Sequence, residues 1–230
     1  MTQPTIFLAS SFALLEADEL RTARLIKSEE RATAGHYNGH VPPNPDQLGG
    51  TFNFSTLDGR QTKQSDFTGH WTLFYFGYAR CTSTCPMAIP AIATAAKELR
   101  QAGINTRASF VDIEAPALGN VRRRAAPDAK HPVHLTEVDR MKALRNLQSS
   151  FGSELQILTG TRGQLAAASI AFQVAREHTP PRDGERGHSI NHSSLIYILD
   201  PRAKVAGYGY HTSSTKVLVE TVQKLRRVKG

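Results

Sequence analysis

Residues 71–78 read Trp-Thr-Leu-Phe-Tyr-Phe-Gly-Tyr, a nearly continuous aromatic and apolar run. A strand with one wet face would alternate apolar and polar residues, so this run predicts a central strand buried on both faces. Directly after it comes Cys81-Thr-Ser-Thr-Cys85-Pro86, and then 91–101 (AIATAAKELRQ), rich in helix formers and stopped by Gly103. The local order is strand, cysteine turn, helix.

The rest of the chain supplies partners for that strand. Phe52 and Phe54 alternate with polar neighbours, and Asp58-Gly59 offers the positive φ of a tight turn, which predicts an opening hairpin. A strand is expected at 108–113, a helix at 141–151 and a short strand at 155–158, with Pro116, Gly119, Pro127 and Pro132 breaking the region between the first two. Thr161 and Gln164 fit a capping box opening a helix that runs through Phe172. The polar stretch 175–191 predicts a loop or splayed hairpin, 194–199 a strand, Asp200-Pro201 a turn and 205–210 a returning strand. Leu218, Val222 and Leu225 fall on one face of a closing amphipathic helix. Strands alternating with helices, with hairpins near both ends, predict an α/β sandwich.

At 230 residues and 40% hydrophobic, the chain can bury one real core with an arm left over. The Pro, Gly and Asn of 36–50 (HYNGHVPPNPDQLGG) read as a linker, dividing an N-terminal arm and linker at 1–49 from a domain at 50–230. No stretch approaches the roughly 20 apolar residues that span a bilayer. Ile6 to Leu15 is a candidate shortened targeting segment but lacks a basic leader, so a helical arm or a misplaced start are equally open readings. Lys and Arg outnumber Asp and Glu by 28 to 20, and the resulting +8 favours acidic partners or anionic membrane surfaces. Nucleic acid is not expected, because the basic groups at 122–124 and 224–229 carry no interleaved aromatic platform.

Two cysteines are too few for a disulfide framework, and their spacing points to a local site. Four residues is about one helical turn, so both sulfurs can project from one ridge of a helix start. There the helix dipole, with Arg80 alongside, is expected to lower thiol pKa values and enrich the thiolate. The plain alternative is a pair of small core residues that lie close by chance. Against it, a buried strand feeding such a turn places both sulfurs at the C-terminal edge of the sheet, where α/β folds build their sites. Two soft thiolates leave a coordination position for a third donor, and an imidazole suits it. Among nine histidines, His36, His40, His131, His134, His178 and His188 lie in polar or Pro-rich stretches. His192 instead precedes the apolar strand 194–199, which anchors its backbone.

Three blocks, FYFGYARCTSTCP, LTGTRGQLAAASIAF and NHSSLIYILDP, resemble in order the signatures of the Sco/SenC proteins, copper-binding assembly factors of cytochrome c oxidase. The resemblance covers roughly residues 50–228. It implies a thioredoxin-like fold in which Cys81, Cys85 and His192 bind copper as Cu(I) or Cu(II). It also implies delivery to a cytochrome c oxidase copper-site subunit or another acceptor, and a periplasmic or membrane-associated location facing the periplasm. The chain departs from the family pattern at FVDIEAPALGN, where relatives carry an Asp-Pro and further acidic residues. It departs again in a longer 114–140 stretch and at Asn191, where an acidic residue often stands.

The leading expectation is therefore a metallochaperone rather than an enzyme. The alternative is a thiol–disulfide oxidoreductase reducing a partner's copper-site cysteines, with Cys81 and Cys85 as the redox-active pair, Cys81 attacking and Cys85 resolving. That chemistry has no use for His192. A peroxidase ranks lower because it needs only one activated cysteine. A structural zinc site wants four closed ligands where three can be named.

Overall fold

The computed structural model describes Arg21, Arg24, Cys81 and residues 44–79, 84–114, 137–174, 176–179, 189–193 and 195–229. All of the arm except Arg21 and Arg24, and the linker up to residue 43, lie outside these residues. Among those described, strands β1 (Asn53–Thr56), β2 (Gln61–Lys63), β3 (Trp71–Gly77), β4 (Thr106–Asp112), β5 (Gln156–Thr159), β8 (Leu195–Leu199) and β9 (Val205–Tyr210) form one sheet. Its order is β2-β1-β5-β4-β3-β8-β9. A separate two-stranded ribbon joins β6 (Arg176–Thr179) to β7 (Ser189–His192). Four helices accompany them: α1 (Cys85–Gln101), α2 (Glu137–Phe151), α3 (Arg162–Phe172) and α4 (Thr215–Lys229).

The aromatic run is β3, and all seven of its residues are buried. It pairs parallel with β4, from Trp71↔Thr106 to Gly77↔Asp112, and antiparallel with β8. Because side chains alternate across a strand, its residues serve two layers. Phe74 and Phe76 face a cluster with Phe52, Phe54 and Phe172 of α3, where Phe74 and Phe172 stack with centroids 5.5 Å apart. Tyr75 and Gly77 face the opposite layer, where α1 packs on β3 and β4 and against α4. Each aromatic pair adds about 0.5–1.5 kcal/mol beyond its burial.

Helix α1 begins at Cys85, six residues before the expected 91. Its first four N–H groups need no intrahelical acceptor, so Pro86 loses nothing there, and Pro90 forgoes a single bond inside the helix. Burial of Ala88, Ile89, Ile92, Ala95, Ala96 and Leu99 outweighs that loss. At the other end Gly103 takes φ +77°, its N–H donates to Arg100 O at 3.0 Å, and Ile104 N–H donates to Leu99 O at 2.8 Å. These two bonds form the Schellman closure that favours glycine.

Helix α2 likewise starts four residues before the expected 141. The capping box is present as read: Thr161 Oγ1 accepts from Gln164 N–H, and the Gln164 side chain accepts from Thr161 N–H. Packing also extends into the segment read as linker. Leu48 is buried, and Gly49 N–H donates to Ala171 O at 2.6 Å.

Candidate metal centre

Strand β3 ends at Gly77, and the chain turns at once, with Cys81 N–H donating to Tyr78 O at 3.0 Å. Thr84 then caps α1, its carbonyl accepting from both Met87 N–H and Ala88 N–H at 3.1 Å. Cys85 is the first helical residue, while Cys81 stands before the helix. The sulfurs therefore meet across a turn rather than along one helical ridge. Gly77 is what makes room for them, since a Cβ there would lie 2.7 Å from Cys85 Sγ and 2.8 Å from Phe110 Cε2.

Both cysteines are free thiols, 9% and 3% exposed. The Cys85 thiol is hydrogen-bonded to that of Cys81, and this bond and burial push it well above the ordinary cysteine range. The Tyr78 backbone and the Tyr75 hydroxyl pull the other way without reversing the shift. This corrects the expectation of an enriched thiolate at Cys85. The helix start does favour a negative charge, but burial and the neighbouring sulfur oppose it more strongly. A soft cation would displace the proton on binding. Arg80, expected to add positive charge, lies outside the described residues.

His192 ends β7, with its backbone in register with Arg176 of β6. It is buried, and its ring sits edge-on to Tyr75 and Tyr78, with centroids 6.1 Å away in each case. Nδ1 lies 3.0 Å from Ser193 O. A carbonyl can only accept, so Nδ1 carries the proton and Nε2 the lone pair that could ligate a metal. The structure thus brings Cys81 and Cys85 together and places His192 on the tyrosines that border them. Among the described residues no three His, Cys, Asp or Glu side chains are gathered closely enough to hold a metal ion.

Two features of this corner were missed in the sequence. Tyr75, fully buried, donates its hydroxyl to Thr84 Oγ1 at 3.1 Å. Its position on β3, two residues before Gly77 and so on the same face, was the available signal. The second is a buried ion pair, in which Arg140 Nε donates to Asp112 Oδ2 at 2.6 Å. The other guanidinium nitrogens donate to Glu137 at 2.7 Å and to Thr159 Oγ1. Asp112 stands level with Gly77 in the β3–β4 register. Burial raises its carboxyl to about 7 against the pull of Arg140, and among the described residues its Oδ1 has no hydrogen-bond partner. Nothing in the sequence announces this pair, because the two residues are separated by the 115–136 region.

The family model described as SCO1/SenC matches residues 41–116 and 132–227. A curated relative, the mitochondrial SCO2 homolog of Mus musculus, is 27% identical over 182 residues, covering 76% of this chain and 62% of the relative. The chain thus spans about six tenths of the length of the first curated relatives it matches. Among solved structures, Arabidopsis thaliana ScoI with copper bound aligns with TM-score 0.62 at 19% identity, covering 79% of this chain and 99% of that one. Yeast Sco1 with copper bound aligns with TM-score 0.60 at 22% identity, covering 80% and 90%. The fold is accordingly the thioredoxin-like one.

Proposed function

The chain belongs to the SCO1/SenC family, and on that premise we propose that it carries one copper ion on Cys81, Cys85 and His192 and passes it to an acceptor during assembly of cytochrome c oxidase. The observation that carries this reading is a pair of free thiols hydrogen-bonded to each other beside Tyr75, with an imidazole packed on that same tyrosine. The donor chemistry fits the cargo: two soft sulfurs and a neutral imidazole suit copper, above all Cu(I). Copper bound in Arabidopsis thaliana ScoI and in yeast Sco1 supports the choice of metal. Delivery would exchange these ligands for cysteines of the acceptor's copper site.

The boundary at residue 50 and a location facing the periplasm or associated with a membrane belong to the same proposal. The Mus musculus relative is named as mitochondrial, and a structural neighbour from Bacillus anthracis as a lipoprotein. Among the described residues no helix is long and apolar enough to cross a bilayer.

Metal analysis of the reduced, purified chain tests the reading. About one copper per chain is expected, lost in Cys81→Ser and Cys85→Ser. His192→Ala should weaken binding by more than the roughly 10- to 100-fold typical of removing an outer-shell partner. Full-strength binding by His192→Ala would return the assignment to thiol–disulfide exchange, which needs only the cysteines.

A further inference from the structure

Thr84 occupies the cap position of α1, where a threonine side chain ordinarily accepts a hydrogen bond from the second or third helical N–H. Here it makes no such bond, and its backbone is already helical, at φ −90° and ψ −36°. Its hydroxyl is engaged elsewhere. It accepts from the Tyr75 hydroxyl at 3.1 Å and lies 3.9 Å from Cys81 Sγ. A hydroxyl that has accepted one proton has its own to give, and Cys81 Sγ is the acceptor within reach.

Tyr75 is fully buried, and its hydroxyl is the donor to Thr84 Oγ1. The same ring also borders the Cys85 sulfur, since Cys85 Sγ and Tyr75 Cε1 lie 2.7 and 3.2 Å from where a Cβ on Gly77 would stand. Each sulfur of the pair therefore has one of these two side chains beside it, and their hydroxyls are joined to each other.

The geometry points to Tyr75 and Thr84 as positioning residues for the sulfur pair. Thr84 gives up its capping role to orient its proton on Cys81, and Tyr75 orders both Thr84 and Cys85. The inference rests on the copper reading only for its consequence at the metal. A hydrogen bond to sulfur withdraws electron density from it, so both hydroxyls restrain sulfur donation to a bound cation and keep the cargo exchangeable. In the metal-free chain the same bonds favour the dithiol over the disulfide.

Three variants of the full chain test this: Thr84→Val, which keeps shape and removes the hydroxyl, Thr84→Ser, which restores it, and Tyr75→Phe. The metal-free readout is the equilibrium with dithiothreitol, in which Cys81 and Cys85 lose two protons and two electrons to its oxidised form. Loss of one hydrogen bond is expected to move that equilibrium toward the protein disulfide by about three- to tenfold in Thr84→Val and Tyr75→Phe. Thr84→Ser should stay near wild type.

With Cu(II) bound, the sulfur-to-copper charge-transfer band should move to lower energy in Thr84→Val and return in Thr84→Ser. An unmoved disulfide equilibrium in Thr84→Val, or a serine variant that behaves as the valine one, overturns the inference. A wild-type chain that takes up no copper overturns the metal reading instead, and leaves the dithiothreitol result to decide this one. Thr84 is only half-buried at the helix start, so its variants keep the test open if Tyr75→Phe fails to fold.

Discussion

The two halves of the candidate centre are anchored differently. The sulfur half grows out of β3, which is hydrogen-bonded on both edges, buried along its whole length and packed against α1. The imidazole half ends a two-stranded ribbon that, among the described residues, forms a sheet of its own. A two-stranded ribbon is marginal on its own, and its link to the sulfur half is the edge-on contact of His192 with Tyr75 and Tyr78. A perturbation of the first half should therefore reach the whole fold, whereas one of the second should stay local. That division suits a carrier whose thiols must be held while another ligand comes and goes.

The largest effect tests how deeply the sulfur half is tied to the core. Phe74 lies against Phe52, Phe54, Phe67, Phe76 and Phe172. Phe74→Ala should lose about 3–5 kcal/mol in urea unfolding, although it points away from the cysteines. A loss under about 1 kcal/mol would mean that the β3 cluster does not hold the domain together.

Gly77→Ala is expected to be next. Its new methyl would collide with Cys85 Sγ at 2.7 Å and with the ring of Phe110 at 2.8 Å, both fixed by packing. Overpacking of this kind costs about 1–3 kcal/mol. It should also displace the sulfur, so copper stoichiometry and the urea midpoint fall together. A variant that unfolds earlier yet keeps one copper would separate the glycine's structural role from the site.

The contrast also explains what could be read in advance. Residues 71–78 declared a doubly buried strand because both faces of β3 are apolar, and Thr161 with Gln164 declared a helix start because the capping box is local. The Cys81–Cys85 pair was legible for the same reason, four residues across one turn. His192 was chosen through its block resemblance, since no spacing rule connects it to residues more than a hundred positions earlier. The start of α1 was read late because Pro90 argues locally for a delayed helix, which tertiary burial overrides, whereas Pro86 suits a first turn. The protonation of Cys85 was misjudged because helix polarity is visible in sequence, whereas burial and a facing sulfur are not. The Asp112–Arg140 pair is wholly a product of the fold.

That ion pair gives a pH-dependent test of the sulfur half. Burial holds the Asp112 carboxyl at about 7, above its ordinary 3.8. A carboxyl raised on folding binds its proton more tightly in the native state, so its contribution is complete below about pH 4 and is lost as pH rises through 7. Relative to wild type, Asp112→Asn should therefore gain stability progressively from pH 4 to pH 7 and show no further change above. Urea midpoints of both proteins at pH 5, 6, 7 and 8 measure it. A constant difference across that range would show that Arg140 keeps the carboxylate ionised throughout.

The smallest effect on the fold is expected at the ligand furthest from the core. His192→Ala removes two edge-on aromatic contacts, each worth about 0.5–1.5 kcal/mol at most. Because the ribbon forms its own sheet among the described residues, the loss should reach β3 chiefly at Tyr75, which the ring touches. Stability in urea should fall by at most about 1–3 kcal/mol, the sum of the two contacts, while copper affinity drops steeply, the reverse of Phe74→Ala. Amide exchange sharpens the point: protection in β6 and β7 should fall in His192→Ala while that of β4, β8 and β3 apart from Tyr75 is unchanged. If the rest of β3 loses protection as well, the imidazole is a structural member of the core, and the two halves are one.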